Sequence, residues 1–383
     1  MNCVYGVFLW VRFMKFKLRI LGIRGIPGQH GGFETFAECL ALYLVNKGWE
    51  VTVYNQVDSG EYFEDEWEGI KRIHIPVLLK GAKGTIVFDW KSIVHASQSN
   101  ALVLTLGYNT AVFDLLFRLK KITNVKNMDG LEWQRGKWKL YEKAWLYFNE
   151  RMACRFSNHL IADHPRIKSY LEGRVLKEKI TMIPYGGEFI VTADRAYIES
   201  LGLDAKGYAI VIARPEPENM VLEIVSAFSR RYRGKKLVVL GNFDVVKNEY
   251  HKKIYAKASN EVIFPGAIYD KSQVNSLRFY SCLYIHGHTV GGTNPSLVES
   301  LGAGSPVLAH KNKFNMWVAG KGAKYFSNEN DCSHLLDTIL DDVLVLSEMA
   351  ASSRVRFEQS FRWDVVLASY EKVLKKWTNS GKV

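Results

Sequence analysis

With 383 residues, 48% hydrophobic and 23% charged, the chain has the composition of a globular protein of roughly two to three domains, which excludes a disordered or fibrous polypeptide. No run of about 20 apolar residues is present, so a membrane-spanning helix is not expected. The formal net charge of +12 favours an anionic partner without choosing among nucleic acid, an acidic membrane surface and phosphorylated small molecules.

The five cysteines, Cys3, Cys39, Cys154, Cys282 and Cys332, are scattered and never spaced Cys-x-x-Cys. That pattern predicts a reducing compartment, no disulfide framework and no zinc site. The opening MNCVYGVFLWVRF is apolar but has neither a basic leader nor a small-residue cleavage site, so it does not read as a signal peptide. It reads as an extension ahead of Met14, with a weak interfacial anchor as the alternative.

The first predicted strand, KLRILGIRG, runs into GIPGQHGGFE, where glycines 22, 25, 28, 31 and 32 crowd one turn. Phe33 to Val45 then follow helical periodicity, and Glu50 to Tyr54 form a second strand. This order opens a doubly wound parallel sheet, whose ligands bind at the carboxyl ends of its strands. Spaced glycines there also suit a nicotinamide dinucleotide. That use needs an acidic residue at the end of the second strand to hold the ribose. The strand ends in Asn55 and Gln56, and Asp58 serves only with a shifted boundary.

Further strands are predicted at Ala101 to Leu106, Thr123 to Met128, His159 to Ala162 and Lys179 to Ile183, each followed by a turn-like cluster. Asp129 follows the second of these. It either orients an acceptor hydroxyl and helps take its proton, or caps a helix from Leu131. In KWKLYEKAWLYFNERMACRF, Trp138, Tyr141, Trp145, Phe148, Met152 and Phe156 recur at steps of three and four, flanked by Lys137, Lys139, Lys143, Arg151 and Arg155. The stripe is expected to face the core, with a solvated basic side. A bilayer headgroup region would suit the same pattern.

After Gly187 the alternation restarts with strands at Gly207 to Ala213, Lys236 to Leu240, Val262 to Phe264, Leu283 to Ile285 and Val307 to Ala309. A helix is expected over Met220 to Arg230. No sequence repeat relates the two halves. Arg214, at the end of the first of these strands, either neutralises a diphosphate or pairs with Glu216 or Glu218. The stretch HGHTVGGTNPSLVESLGAGSPVLAH, His286 to His310, reads as glycine turn, helix and strand. The first turn of such a helix offers unpaired N–H donors and the positive end of its dipole to an anion. Glu299 on that helix either accepts hydrogen bonds from sugar hydroxyls or is simply solvated. His286 and His288 are expected as polar pocket residues. At the end of the chain, Trp363, Val366, Leu367, Tyr370, Leu374 and Trp377 share a helical face that needs a groove.

The segments GIRGIPGQHGGFETF, NMDGLEWQRGKW and IHGHTVGGTNPSLVESLGAGSPVLAH together resemble the glycosyltransferase family 4 enzymes, and most nearly a bacterial rhamnosyltransferase-like subgroup. The resemblance implies a GT-B fold: two Rossmann-like, doubly wound α/β domains facing a cleft, with a C-terminal helix packing back across both. The implied divisions are an acceptor-binding domain over 14–188, a nucleotide-sugar-binding domain over 189–361 and a returning helix over 362–383. It further implies a retaining transfer with no required metal or cofactor beyond a dTDP-, UDP- or GDP-sugar donor.

Carried over by motif, Arg214 binds the donor diphosphate and Glu299 the ribose hydroxyls. Gly31 and Gly32 approach the phosphates, and Gly291, Gly292, Thr293 and Asn294 meet the sugar and phosphate. Asn219 and His288 complete the donor side, and Asp129 stands on the acceptor side. Two positions depart from the family pattern. The first of its paired glutamates falls on Gly291, and its lysine five or six residues after the arginine falls on Asn219 or Met220. The expected activity is transfer of a hexose, L-rhamnose from dTDP-rhamnose, onto a lipid-linked or growing polysaccharide. The expected location is the cytoplasmic, inner face of an anionic membrane, with no nucleic-acid partner. The alternatives are an NAD-dependent oxidoreductase and a non-catalytic nucleic-acid-binding protein.

Overall fold

The computed structural model describes residues 16–28 and 31–379. The apolar opening segment, Met14, Cys3, and Gln29 and His30 of the first glycine turn lie outside the described residues. Two sheets organise the chain. The first contains β1 (Lys17–Leu21), β2 (Glu50–Val57), β3 (Phe63–Trp67), β4 (Ile70–Pro76), β5 (Leu102–Leu106), β6 (Asn124–Asn127), β7 (His159–Ala162) and β8 (Ile180–Met182). Its order is β3-β4-β2-β1-β5-β6-β7-β8, with β3 antiparallel to β4 and the other pairs parallel.

The second sheet contains β9 (Tyr208–Ile212), β10 (Lys236–Leu240), β11 (Val262–Gly266), β12 (Leu283–His286), β13 (Val307–His310) and β14 (Lys324–Phe326). Its order β11-β10-β9-β12-β13-β14 is wholly parallel. Apart from the β3 edge, both sheets reverse strand order beside their first strand, between β1 and β5 and between β9 and β12. Such reversals open the crevices in which doubly wound sheets bind ligands. The central strands are buried on both faces, which is why β5 reads LVLTL without alternation.

The hairpin β3–β4 was not expected from the sequence, because its strands are charged and lack a clear apolar face. Its two-residue turn, Glu68 (φ 51°) and Gly69 (φ 77°), has the two positive φ values of a tight hairpin. Cross-strand pairs Lys71–Glu64 at 2.5 Å and Arg72–Asp65 at 2.6 Å furnish the charges that keep an edge strand from recruiting another. The strand β2 runs to Val57 rather than ending at Gln56, so exposed Asp58 follows it directly.

The helix Trp363–Asn379 finds its groove on the first sheet. It packs on the helix Gly32–Asn46 and on β5, burying Val366, Leu367, Tyr370 and Leu374. The Tyr370 hydroxyl accepts from Asn127 Nδ2 at 2.7 Å, and Tyr43 donates to Glu371 at 2.9 Å. Just before this helix, Gly187 N donates to Phe361 O at 2.7 Å, tying the chain's end to the junction between the sheets. One apolar cluster accordingly runs from Leu18 and Leu104 through Ile210 and Val307 to Tyr370.

The middle of the aromatic stripe over 138–156, Tyr141 to Phe148, turns away from the core while Met152 packs on it, which corrects the sequence reading in part. The helix begins at Leu140, leaving Trp138 before it, and buries Leu146, Asn149, Glu150, Ala153 and Cys154 instead. Tyr141, Trp145 and Phe148 are 67%, 40% and 43% exposed. Polar anchoring decides the rotation. The Glu150 carboxylate receives Trp133 Nε1 at 2.8 Å and the Tyr170 hydroxyl at 3.0 Å and forms an ion pair with Arg174 at 2.9 Å, while Asn149 Oδ1 receives Val112 N at 2.9 Å. Turning the stripe inward would strand those groups, each costing about 1–3 kcal/mol or more when charged. Among the described residues no helix is long and apolar enough to cross a membrane.

Candidate functional site

The turn after β1 is folded back on its own sheet. A Cβ at Gly22 (φ +85°) would lie 2.1 Å from the Leu106 carbonyl oxygen. Asn55, at the end of β2, brackets Ile26 by accepting from its N–H at 3.2 Å and donating to its carbonyl at 2.9 Å. That clamp delivers Gly31 and Gly32 to the space between the sheets, where a Cβ on Gly32 would come within 2.7 Å of the Pro295 ring.

A cavity of about 770 Å³ opens there. Of the residues expected at a donor, Gly31, Gly32, Arg214, His288, Asn294 and Glu299 line it. Arg214, at the end of β9, is exposed to it, and among the described residues its side chain makes no ion pair. Glu216 and Glu218, its alternative partners in the sequence reading, do not neutralise it. Asn219 is buried and donates Nδ2 to the Arg214 carbonyl at 2.8 Å, so it shapes the turn that carries Arg214 rather than lining the cavity.

Glu299 is bound to Arg278, a residue the sequence reading missed. Arg278 Nη2 meets Glu299 Oε2 at 2.5 Å, with the Arg278 side chain 6% exposed. Arg278 sits on the helix Lys271–Tyr280 within an ordinary amphipathic pattern, so nothing in the sequence marked it. The pair fixes the carboxylate at the cavity wall.

Gly291, Gly292 and Thr293 do not line the cavity; this turn docks on the opposite sheet. Thr293 N donates to Asp163 Oδ2 at 2.9 Å, and its hydroxyl donates to the Asp163 carbonyl. A Cβ on Gly292 would fall 2.3 Å from the Asp163 carboxylate, and one on Gly130 would lie 3.4 Å from Gly291. The helix Pro295–Gly302 therefore presents fewer free donors than its position suggests. Pro295 has no N–H, Ser296 N is capped by Asn294 Oδ1 at 3.0 Å, and Val298 N bonds Asn294 O at 3.1 Å. Among the described residues the N–H groups of Gly291, Gly292 and Asn294 meet no protein acceptor.

Asp129 adopts φ 52°, an uncommon conformation for a residue with a side chain. It caps no helix, since the following 3₁₀ turn Glu132–Gln134 has Leu131 at its cap. Burial pushes its carboxyl above the ordinary range, against the opposing pull of Arg135, Arg214 and Lys137. Burial, reinforced by Asp129, pushes Asp163 up to about 7. His288 is held down to about 3 by burial and by Arg135 and Arg214, so it is neutral at pH 7. It stacks on buried His286 with ring centroids 4.3 Å apart. Among the described residues no group of three or more His, Cys, Asp or Glu is arranged to hold a metal.

A second cavity of about 180 Å³ lies at the carboxyl ends of β1 and β5, lined by Gly22, Gln56, Asp89, Thr105 and Thr110. Thr110 Oγ1 donates to Asp89 Oδ2 at 2.7 Å, and burial pushes Asp89 up to about 6. Beneath it lies the buried ion pair Lys126–Asp114 at 3.0 Å. Glu34 lines this cavity and stands beside Gly31 of the larger one, so the two adjoin across the first glycine turn.

Residues 15–188 match a family described as a domain of unknown function, DUF1972. Among curated proteins none matches the sequence. Solved structures match over nearly the whole chain. Sucrose-phosphate synthase from Thermosynechococcus elongatus aligns with TM-score 0.81 and 13% identity over 96% of this chain and 100% of its own. Anabaena HepE in complex with UDP-glucose aligns with TM-score 0.74 and 15% identity over 94% and 99%. The UDP-forming α,α-trehalose-phosphate synthase from Burkholderia xenovorans, in complex with glucose-6-phosphate, aligns with TM-score 0.70 and 10% identity over 94% and 100%. The chain has the GT-B fold of these proteins.

Proposed function

We propose that this protein is a retaining glycosyltransferase that binds a nucleotide sugar between its two lobes. The observation that carries the reading is the larger cavity, where Arg214, a guanidinium with no ion pair among the described residues, and a fixed carboxylate, Glu299, share the lining with Gly31 and Gly32 of the first glycine turn and with His288 and Asn294 of the second. An anion and a polyol suit those two groups respectively. The solved structures of like fold include one holding UDP-glucose, which supports a nucleotide-sugar donor. Neither a hydride-transfer enzyme nor a nucleic-acid-binding protein is favoured by this arrangement.

In this reading residues 189–361 hold the donor, residues 14–188 hold the acceptor, and residues 362–383 couple the two. Breaking the bond between anomeric carbon and phosphate develops negative charge on the departing diphosphate. Arg214, with Asn294 beside it at the cavity wall, stabilises that charge because it is already in place. The acceptor hydroxyl attacks from the leaving-group side, and the diphosphate takes its proton, so no protein nucleophile is required. The smaller cavity, with Asp89 and Thr110, receives part of the acceptor, and Asp129 faces the junction.

The finer reading is transfer of L-rhamnose from dTDP-rhamnose to a lipid-linked or growing polysaccharide. It rests on the sequence resemblance and on Gly291, which offers no carboxylate where a fully hydroxylated sugar would use one. The exposed Tyr141, Trp145 and Phe148 lie among Lys139, Lys143, Arg151 and Arg155, which suits the headgroup region of an anionic membrane on the cytoplasmic side. The test is thermal stabilisation across dTDP-, UDP- and GDP-sugars, followed by transfer assays with the best binder. Stabilisation by dTDP-rhamnose above the others is expected. A flat response to every nucleotide sugar would remove the reading.

A further inference from the structure

We infer that Arg135 is a second diphosphate-binding cation of the cleft, supplied by the opposite lobe and held by Glu218 until the ligand arrives. The inference rests on the donor reading above and deepens it. Its starting point is a shortage. A nucleoside diphosphate brings two or more negative charges, yet in the first turn of the helix beginning at Pro295 only Leu297 N has no acceptor among the described residues, since Pro295 lacks an N–H and Ser296 N is taken by Asn294, and Thr293 N is bound to Asp163. The other cations lining the cavity, Lys271 and Arg278, are paired with Glu188 and Glu299, which leaves Arg214 and a few amides on the C-terminal side.

Arg135 lies in the loop after β6, on the N-terminal lobe. Its Nε forms an ion pair with Glu132 at 2.9 Å, while its Nη1 stands 3.7 Å from Glu218 Oε1 across the junction between the lobes. The second contact is too long for a good charge-assisted hydrogen bond. Glu218 is 11% exposed at its side chain, and its Oε2 is buried with no hydrogen-bond partner. The position of Glu218 is nevertheless fixed, because its carbonyl accepts both the N–H and the hydroxyl of Thr289 at 2.9 Å. Thr289 adjoins His288, which lines the cavity, and Glu218 belongs to the same turn as Arg214.

Arg135 does not line the cavity in the free protein; it stands behind Glu218 on the lobe opposite Arg214, near enough that the fields of both guanidinium groups fall on His288. Asp129 and Glu132 also lie within the fields of both cations in the free protein. Glu218 holds Arg135 only loosely across the junction, and a diphosphate with shorter, better-aligned contacts displaces it. Cation binding and lobe closure become one event, since Arg135 completes the site only when the lobes are together.

The experiment is calorimetric titration of the full-length protein with UDP, dTDP and GDP and with the matching monophosphates, using Arg135→Ala, Arg135→Lys, Glu218→Gln and, as control, Arg214→Ala. Loss of one charge-assisted contact should weaken the preferred diphosphate about tenfold in Arg135→Ala while moving its monophosphate by about twofold or less. Arg135→Lys should recover part of the loss, and Glu218→Gln should tighten the diphosphate. Melting temperatures report any general loss of fold. Equal weakening of mono- and diphosphates in Arg135→Ala would mark a strut between lobes and overturn the inference. Unchanged diphosphate binding in Arg135→Ala, with weakening in Arg214→Ala, overturns it alone. A wild-type protein that binds no nucleoside diphosphate overturns the donor reading as well.

Discussion

The two glycine-rich turns look interchangeable in the sequence, yet they do different work. In the turn after β1, Gly22 lets the chain pass the Leu106 carbonyl, and Gly25 and Gly28 pack on Asn55 and on the start of the next helix. These glycines close the turn on its own sheet. In the turn after β12, Gly287 passes the Asn219 carbonyl of a neighbouring loop, while Gly292 lies against Asp163 of the other lobe. Here the missing side chain lets two lobes meet. Of the three glycines in this second turn, Gly291 alone faces open space. A glycine-rich turn therefore signals close approach of some kind, and protein backbone satisfies that need as readily as phosphate does.

The contrast is broken most severely at Gly22. Gly22→Ala combines a positive φ with a clash against a strand carbonyl that cannot yield, so a stability loss of about 3–5 kcal/mol is expected by urea unfolding. Gly292→Ala should leave each lobe folded but hold the lobes apart. Transfer should fall about 100-fold, as it does when reacting groups are misplaced by about an ångström. X-ray scattering should show a larger radius of gyration, and an unchanged radius with normal transfer would refute the docking role.

A pH dependence sharpens the same point. In the closed arrangement Asp163 ionises at about 7, whereas an exposed aspartate ionises near 4. Between those values the closed form holds the extra proton, so acid favours closure, and the burial penalty is fully present above about pH 7. Lowering pH from about 8 to about 6 should reduce the radius of gyration, and Asp163→Asn should remove most of that response. The smallest effect is expected at Gly31, which has extended φ and a nearest neighbour at 3.2 Å on the flexible end of Glu34. Gly31→Ala should change stability by no more than about 0.5 kcal/mol.

Much of the architecture was legible because buried parallel strands are unbroken apolar runs. His159–Ala162 and Lys236–Leu240 have the predicted ends, and most other strands differ from expectation by a residue or two. The β3–β4 hairpin escaped notice because its edge is protected by charge rather than marked by apolar alternation. The helix Leu140–Phe156 was turned the wrong way because periodicity locates a stripe without saying what it faces. Glu150 and Asn149, which decide the rotation, look like ordinary polar residues in the sequence.

Within the site, residues that end strands were visible, since Arg214 and His288 follow apolar runs. Residues that act on them were not. Arg278 lies in the middle of a helix, and Asp163 belongs to a turn whose importance depends on a loop 130 residues later. Asn219 shows the reverse, a polar residue next to the site whose side chain is committed to its own loop.

The most direct test of the central claim is the binding of nucleoside mono- and diphosphates to the wild type, Arg214→Ala and Glu299→Ala, with melting temperatures measured alongside. The account predicts that all three proteins stay folded, that Arg214→Ala loses the diphosphate preference by about tenfold or more, and that Glu299→Ala weakens both ligand classes through the ribose. Wild-type affinities and preference in both variants would contradict it.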